Sequence, residues 1–200
     1  GHAFSEAFGT LLMHQLCAAV SHLHMLGIAH RDVKAENVLY SDASKRSIKL
    51  CDYGFSIICH DRKLRTVCGS PAYMAPELAT REAYLGPPVD LWALGCFAFE
   101  VLHGVPPFRG ESLEALQLRI KRCDHHKMRG SLSSEARRLI KSLLAVPVHQ
   151  RCPARDATAQ WGALNAALHA GSNGQPPAAI VDRDGEAAAQ APAAAPVARG

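Results

Sequence analysis

Apolar residues recur at helical spacing from about Ser5 to Leu26, at Phe8, Leu11, Leu12, Leu16, Val20 and Leu23. Ser5 is placed to cap this helix and Gly27 to stop it. Two short β-type runs follow, Asn37 to Tyr40 and Ser47 to Cys51, and Asp42-Ala43-Ser44-Lys45 between them predicts a hairpin turn. Residues 52–77 have no clear period, and loops of that length inside a compact domain usually carry function. A strongly apolar helix is predicted from Pro88 to His103, ended by Gly104 and the Pro106-Pro107 pair. An amphipathic helix is predicted from Leu113 to Arg122, and another from Ser133 to Leu144 behind the Ser133-Ser134-Glu135 start. A last short helix covers Ala154 to Leu168. The pattern predicts one mainly α domain with a short β-hairpin over residues 1–168.

The composition changes at Gly171. Ala, Pro and Gly supply 18 of the final 30 residues. Such a segment buries too little apolar surface to offset its ordering entropy, so 171–200 is expected to be a disordered tail. Across all 200 residues the chain is 48% hydrophobic and 20% charged, with a formal charge of +4. That charge suits an anionic ligand such as a nucleotide. It is too weak and dispersed to argue for nucleic acid. No stretch approaches the roughly 20 apolar residues that span a bilayer, and no secretory signal is read, so neither nucleic acid nor membrane is expected as a partner.

The seven cysteines (Cys17, Cys51, Cys59, Cys68, Cys96, Cys123, Cys152) form no CxxC pair. Their odd count and irregular spacing argue against a disulfide framework and a zinc site. Reduced, mostly buried thiols are expected in an intracellular, cytoplasmic protein. Of the eleven histidines, all but His30 are read as surface or packing residues.

The chemistry concentrates in residues 30–54. Transfer of a phosphoryl group needs an oriented hydroxyl, divalent cations on the phosphates, compensating positive charge and exclusion of water. Asp32 is placed to accept or orient a hydroxyl proton. Lys34 lies alongside it to neutralise a γ-phosphate. Asn37 and Asp52 offer the hard oxygen ligands that Mg²⁺ prefers, and the predicted hairpin returns Asp52 to the side of Asn37. Gly54 leaves the backbone free to turn. Cys51, directly before Asp52, is read as a small apolar residue, with a thiol facing the nucleotide as the alternative.

His30-Arg31-Asp32-Val33-Lys34-Ala35-Glu36-Asn37, followed by Asp52-Tyr53-Gly54, resembles the catalytic loop and magnesium triplet of the protein kinases. Tyr53 stands where the family usually has Phe. Gly69-Ser70-Pro71-Ala72-Tyr73-Met74-Ala75-Pro76-Glu77 resembles the end of the family's activation segment. Asp90-Leu91-Trp92-Ala93-Leu94-Gly95 resembles the start of its long buried helix. The resemblance covers roughly residues 8–165 and implies the kinase fold's lower lobe. It implies that Lys34, Glu36, Asn37, Leu39 and Asp52 bind ATP, with Mg²⁺ on Asn37 and Asp52. It assigns Asp32, Lys34 and Asn37 to catalysis. His30, Tyr53, Gly54, Glu77, Asp90 and Arg151 become structural, with Asp90 bracing the catalytic loop and Arg151 pairing with Glu77.

Lys34, two residues after Asp32, resembles the serine/threonine kinases, so the implied substrates are protein Ser and Thr hydroxyls. Ala35-Glu36-Asn37, Cys68-Gly69-Ser70-Pro71 and Tyr84-Leu85-Gly86-Pro87-Pro88-Val89-Asp90 resemble the calcium/calmodulin-dependent group, nearest its AMP-activated and microtubule-affinity-regulating branch. Leu64-Arg65-Thr66-Val67-Cys68-Gly69 resembles that branch's activation-loop phosphosite. A phosphate on Thr66, added by an upstream kinase, would dock on Arg31.

No glycine-rich loop, strand lysine or helix glutamate precedes His30, so the upper lobe and hinge are expected to be absent from these 200 residues. Two readings follow. One is a kinase lower lobe whose activity needs the missing lobe. The other is a truncated, inactive kinase-like module that binds protein partners. An exposed apolar face is expected where the upper lobe would pack.

Overall fold

The computed structural model describes residues 3–80 and 83–170. The predicted tail, 171–200, lies outside the described residues. The described chain is mostly helical, with two small antiparallel sheets.

Helix α1 runs Glu6–Met25, and the Ser5 hydroxyl accepts the Phe8 amide at 3.3 Å as its cap. Its stripe of Leu12, Met13, Leu16, Cys17 and Val20 is buried. Strand β1, Ile28–Ala29, follows, and β2 (Val38–Tyr40) and β3 (Ile48–Leu50) form the predicted hairpin. Val38 pairs with Leu50 and Tyr40 with Ile48. The Gln15 side chain fastens the hairpin to α1, accepting from Ile48 N at 3.0 Å and donating to Arg46 O at 2.8 Å. Strand β4, Ile57–Ile58, pairs with β1 in a second sheet that the sequence pattern does not announce. Two-residue strands are too short for a period of two to register.

Helix α2, Gly86–His103, is the centre of the molecule, apolar on nearly every side and packed on α1. It starts two residues before the predicted Pro88. Pro87 and Pro88 fit its first turn, where backbone N–H groups lack helical partners anyway. Helices α3 (Leu113–Arg122), α4 (Ser134–Leu143) and α5 (Ala154–Ala170) surround that core. Gly95 allows α2 and α4 to meet: a Cβ there would stand 2.8 Å from Leu144 Cδ2. Ser133 caps α4 through Ala136 N at 3.0 Å, and its amide donates to Glu6 Oε2 at 2.9 Å, tying α4 to the start of α1.

All seven cysteines are free. Cys17, Cys59 and Cys96 are fully buried and the other four only partly, fewer than the sequence suggests. Among the described residues no helix is long and apolar enough to cross a membrane.

Candidate active site

The loop between β1 and β2 carries His30 to Asn37, and α2 holds it from below. Asp90, fully buried in the first turns of α2, accepts the His30 amide at 2.9 Å and the Arg31 amide at 2.7 Å. These bonds hold Arg31 in the left-handed region, at φ 65°. His24 Nε2 lies 2.9 Å from the same carboxylate. His24 is therefore more than the surface or packing residue expected from sequence. It shares its partner with the loop. His30 is buried as well: its Nδ1 accepts the Asp32 amide at 3.3 Å, which leaves Nε2 to donate to Cys51 O at 3.2 Å. Tyr53 rests edge-on against the His30 ring, centroids 5.1 Å apart.

Three side chains from two segments converge on the Asp32 carboxylate. Oδ2 receives Lys34 Nζ at 2.8 Å and Asn37 Nδ2 at 3.0 Å. Oδ1 receives the Ser70 amide and hydroxyl, each at 3.1 Å. Lys34 Nζ also donates to Ser70 Oγ at 2.9 Å, closing a ring of charge-assisted bonds. Burial pushes the Asp32 carboxyl up, but Lys34, Asn37 and Ser70 together outweigh it and hold it below the usual carboxylate range. Asp32 in turn holds the Lys34 ammonium up. The carboxylate therefore stays ionised at neutral pH. A small cavity beside it is lined by Arg31, Asp32, Ser70 and Tyr73 among others.

Ser70, like His24, is a residue that sequence reasoning missed. Gly69 brings it there: at φ 95°, its absent Cβ would stand 2.6 Å from Arg31 O, so only glycine lets the segment lie this close to the loop. Tyr73 adds a second tie. Its hydroxyl accepts from Ala35 N at 3.3 Å and donates to Glu100 on α2.

The candidate oxygen donors for Mg²⁺ flank the hairpin. Asn37 spends its side-chain NH₂ on Asp32 O and Oδ2, which leaves its side-chain Oδ1 for a cation. Cys51 N and Sγ both bond Asn37 O, at 2.9 and 3.1 Å, just beyond the paired ends of β2 and β3, and Asp52 follows directly after that contact. Asp52 is exposed, at φ 60°, with Oδ1 accepting from Gly54 N at 3.2 Å. No cluster of three His, Cys, Asp or Glu ligands exists among the described residues. One amide oxygen and one carboxylate fit Mg²⁺, which takes few protein ligands and completes its octahedron with water and phosphate. Glu36 and Leu39 are both exposed, Leu39 on β2.

The activation-type segment crosses the other side of Arg31. The guanidinium donates from Nε to Phe55 O at 2.8 Å and from Nη1 to the Tyr84 hydroxyl at 3.3 Å. Tyr84 donates to Thr66 O at 2.6 Å. The Thr66 side chain is exposed. Farther out, Glu77 and Arg151 form a two-pronged pair, Nη1–Oε1 at 2.6 Å and Nη2–Oε2 at 2.7 Å. Arg151 also bonds Pro88 O and Ala145 O, each at 2.8 Å, and lies over the Trp92 ring.

The protein kinase domain family matches residues 1–161. An Aurora kinase of Candida glabrata is 38% identical over 149 residues, 74% of this chain and 40% of the relative. Calcium/calmodulin-dependent protein kinase type 1B of Rattus norvegicus is 37% identical over 171 residues, 83% of this chain and 50% of the relative. NUAK family SNF1-like kinase 2 of the same organism is 38% identical over 148 residues, 74% of this chain and 23% of the relative. The chain thus spans half or less of the length of these curated relatives.

Proposed function

The chain belongs to the protein kinase family, among its serine/threonine members, and from that premise we propose that it supplies the lower lobe of an enzyme moving the γ-phosphate of Mg-ATP to Ser or Thr hydroxyls of proteins. The observation that carries this reading is the Asp32 carboxylate, ionised and held by Lys34, Asn37 and Ser70. A substrate hydroxyl that displaces the Ser70 hydroxyl would donate to Oδ1 and turn its lone pair toward the phosphate. Lys34 sits within reach of both the carboxylate and the incoming charge, and so offsets negative charge as it grows on the transferred group. Asn37 and Asp52 would hold Mg²⁺, which neutralises the phosphates when bound.

The exposed apolar side chains Leu39, Tyr40, Tyr53 and Phe55, on the hairpin and the Asp52 segment, support a nucleotide site completed from outside these residues, by an upper lobe. Exposed Thr66, with Arg31 nearby, supports regulation by an upstream kinase.

The test is a fusion of the upper lobe of the type 1B kinase to this chain. It should transfer phosphate from Mg-ATP to Ser and Thr peptides and not to Tyr peptides. Asp32→Asn should lower the rate at least a hundredfold. A folded fusion that binds Mg-ATP without transfer would favour the alternative, a kinase-like module that only binds partners.

A further inference from the structure

Tyr84 joins the two groups that a phosphate on Thr66 would join. Its hydroxyl has one proton, and Thr66 O, a carbonyl, can only accept it, at 2.6 Å. The hydroxyl's lone pair therefore accepts from Arg31 Nη1, at 3.3 Å. The direction of this chain of bonds is fixed: guanidinium to phenol to carbonyl. The ring has little freedom to leave. Tyr84 is 5% exposed, and its backbone pairs with Leu64 in both directions, at 2.7 and 2.9 Å, two residues before Thr66. Burial pushes the phenol pKa up against the opposing effect of Arg31, so the donor persists at neutral pH. Arg31 has five N–H donors, and the bonds to Phe55 and Tyr84 occupy two. Three remain for a phosphate, so the phenol bridge and a phosphate on Thr66 do not exclude each other.

We infer that Tyr84 is a positioning residue: its hydroxyl pins the segment around Thr66 to Arg31 without phosphorylation and so sets the basal activity of the unphosphorylated enzyme. The regulatory half of this inference rests on the kinase reading. The pinning itself does not, and the 200-residue chain tests it. Arg65 is exposed beside the pinned carbonyl and offers trypsin a site. Tyr84→Phe removes one hydroxyl and keeps the ring. Cleavage after Arg65 should quicken roughly fivefold, the ratio expected from losing one ordinary hydrogen bond. Cleavage after Arg122, at the distant end of α3, should not change and controls for general unfolding. Equal rates after Arg65 in the two proteins would overturn the pinning.

In the fusion carrying an upper lobe, Tyr84→Phe should lower the unphosphorylated rate about fivefold to tenfold. It should leave the Thr66-phosphorylated rate within twofold, because the phosphate restores the link. Equal losses in both forms would mean an ordinary packing role and overturn the regulatory half. A wild-type fusion with no transfer at all would overturn the kinase reading and that half with it, while the cleavage result still decides the pinning.

Discussion

Arg151 and Glu77 meet through two parallel bonds of 2.6 and 2.7 Å, with the Arg151 side chain wholly out of water. The pair joins the end of the activation-type segment to the loop before α5. Removing one partner strands the other, which costs far more than the pair's net worth. Glu77→Ala should therefore destabilise the chain by about 3 kcal/mol in urea unfolding. Replacing both, as Glu77→Met with Arg151→Met, should recover part of that loss. A double variant less stable than Glu77→Ala would show that the stranded charge is not the source of the cost.

Much of this frame is legible in the sequence, and the reason is local. Ser5 and Ser133 cap the helices expected of them, because capping depends on residues three apart. The hairpin is equally plain, since Asp42 Oδ1 accepts from Ser44 N at 2.8 Å within its own turn. What stays hidden joins distant positions. His24 reaches Asp90 across 66 residues, and Ser70 reaches Asp32 across 38. His24 reads from its helix as one polar residue on a mixed face, and Ser70 as one small residue in an aperiodic run. Neither carries a period or a spacing that could reveal its partner.

Ser70 should matter to the acidity of Asp32. Its hydroxyl helps hold the carboxyl below its ordinary value of 3.8, along with Lys34 and Asn37 and against burial. The sign follows from that direction. The ionised carboxylate is the working form, so transfer should fade only as pH falls through a depressed pKa. Ser70→Ala should move that acid limb upward in the upper-lobe fusion, and Ser70→Thr should leave it in place. Rate–pH profiles carried from neutral pH to below 3.8 decide the matter. An unmoved limb in Ser70→Ala would show that the Ser70 hydroxyl does not tune Asp32.

Magnesium should need the nucleotide. On the proposed reading Asn37 and Asp52 would supply two oxygen ligands, and Mg²⁺ dehydrates reluctantly. The chain alone should show no heat of binding with Mg²⁺ at roughly millimolar concentration. In the fusion, Asp52→Ala should raise the Mg²⁺ needed for half-maximal ATP binding by at least tenfold. Tight Mg²⁺ binding to the isolated chain would contradict the two-ligand site.

His103 should make the chain acid-sensitive. Its ring stacks on Phe99 with centroids 3.8 Å apart. Its Nε2 accepts the Arg129 amide at 3.0 Å, so Nδ1 carries the proton and donates to Phe99 O at 2.8 Å. A second proton would turn Nε2 into a donor facing a donor. Burial, helped by the Arg129 and His125 charges and opposed by the Phe99 carbonyl, holds its pKa below the ordinary 6.5. With the folded value depressed, the unfolded chain takes up its proton first. Stability is therefore complete above pH 6.5 and falls as pH drops from there toward the folded value. His103→Thr should flatten this part of the stability curve. The measurement is the urea unfolding free energy of both proteins from pH 7.5 to 5, taken as a difference so that the other histidines cancel. A difference that stays constant over that range would show that His103 is not the group responsible.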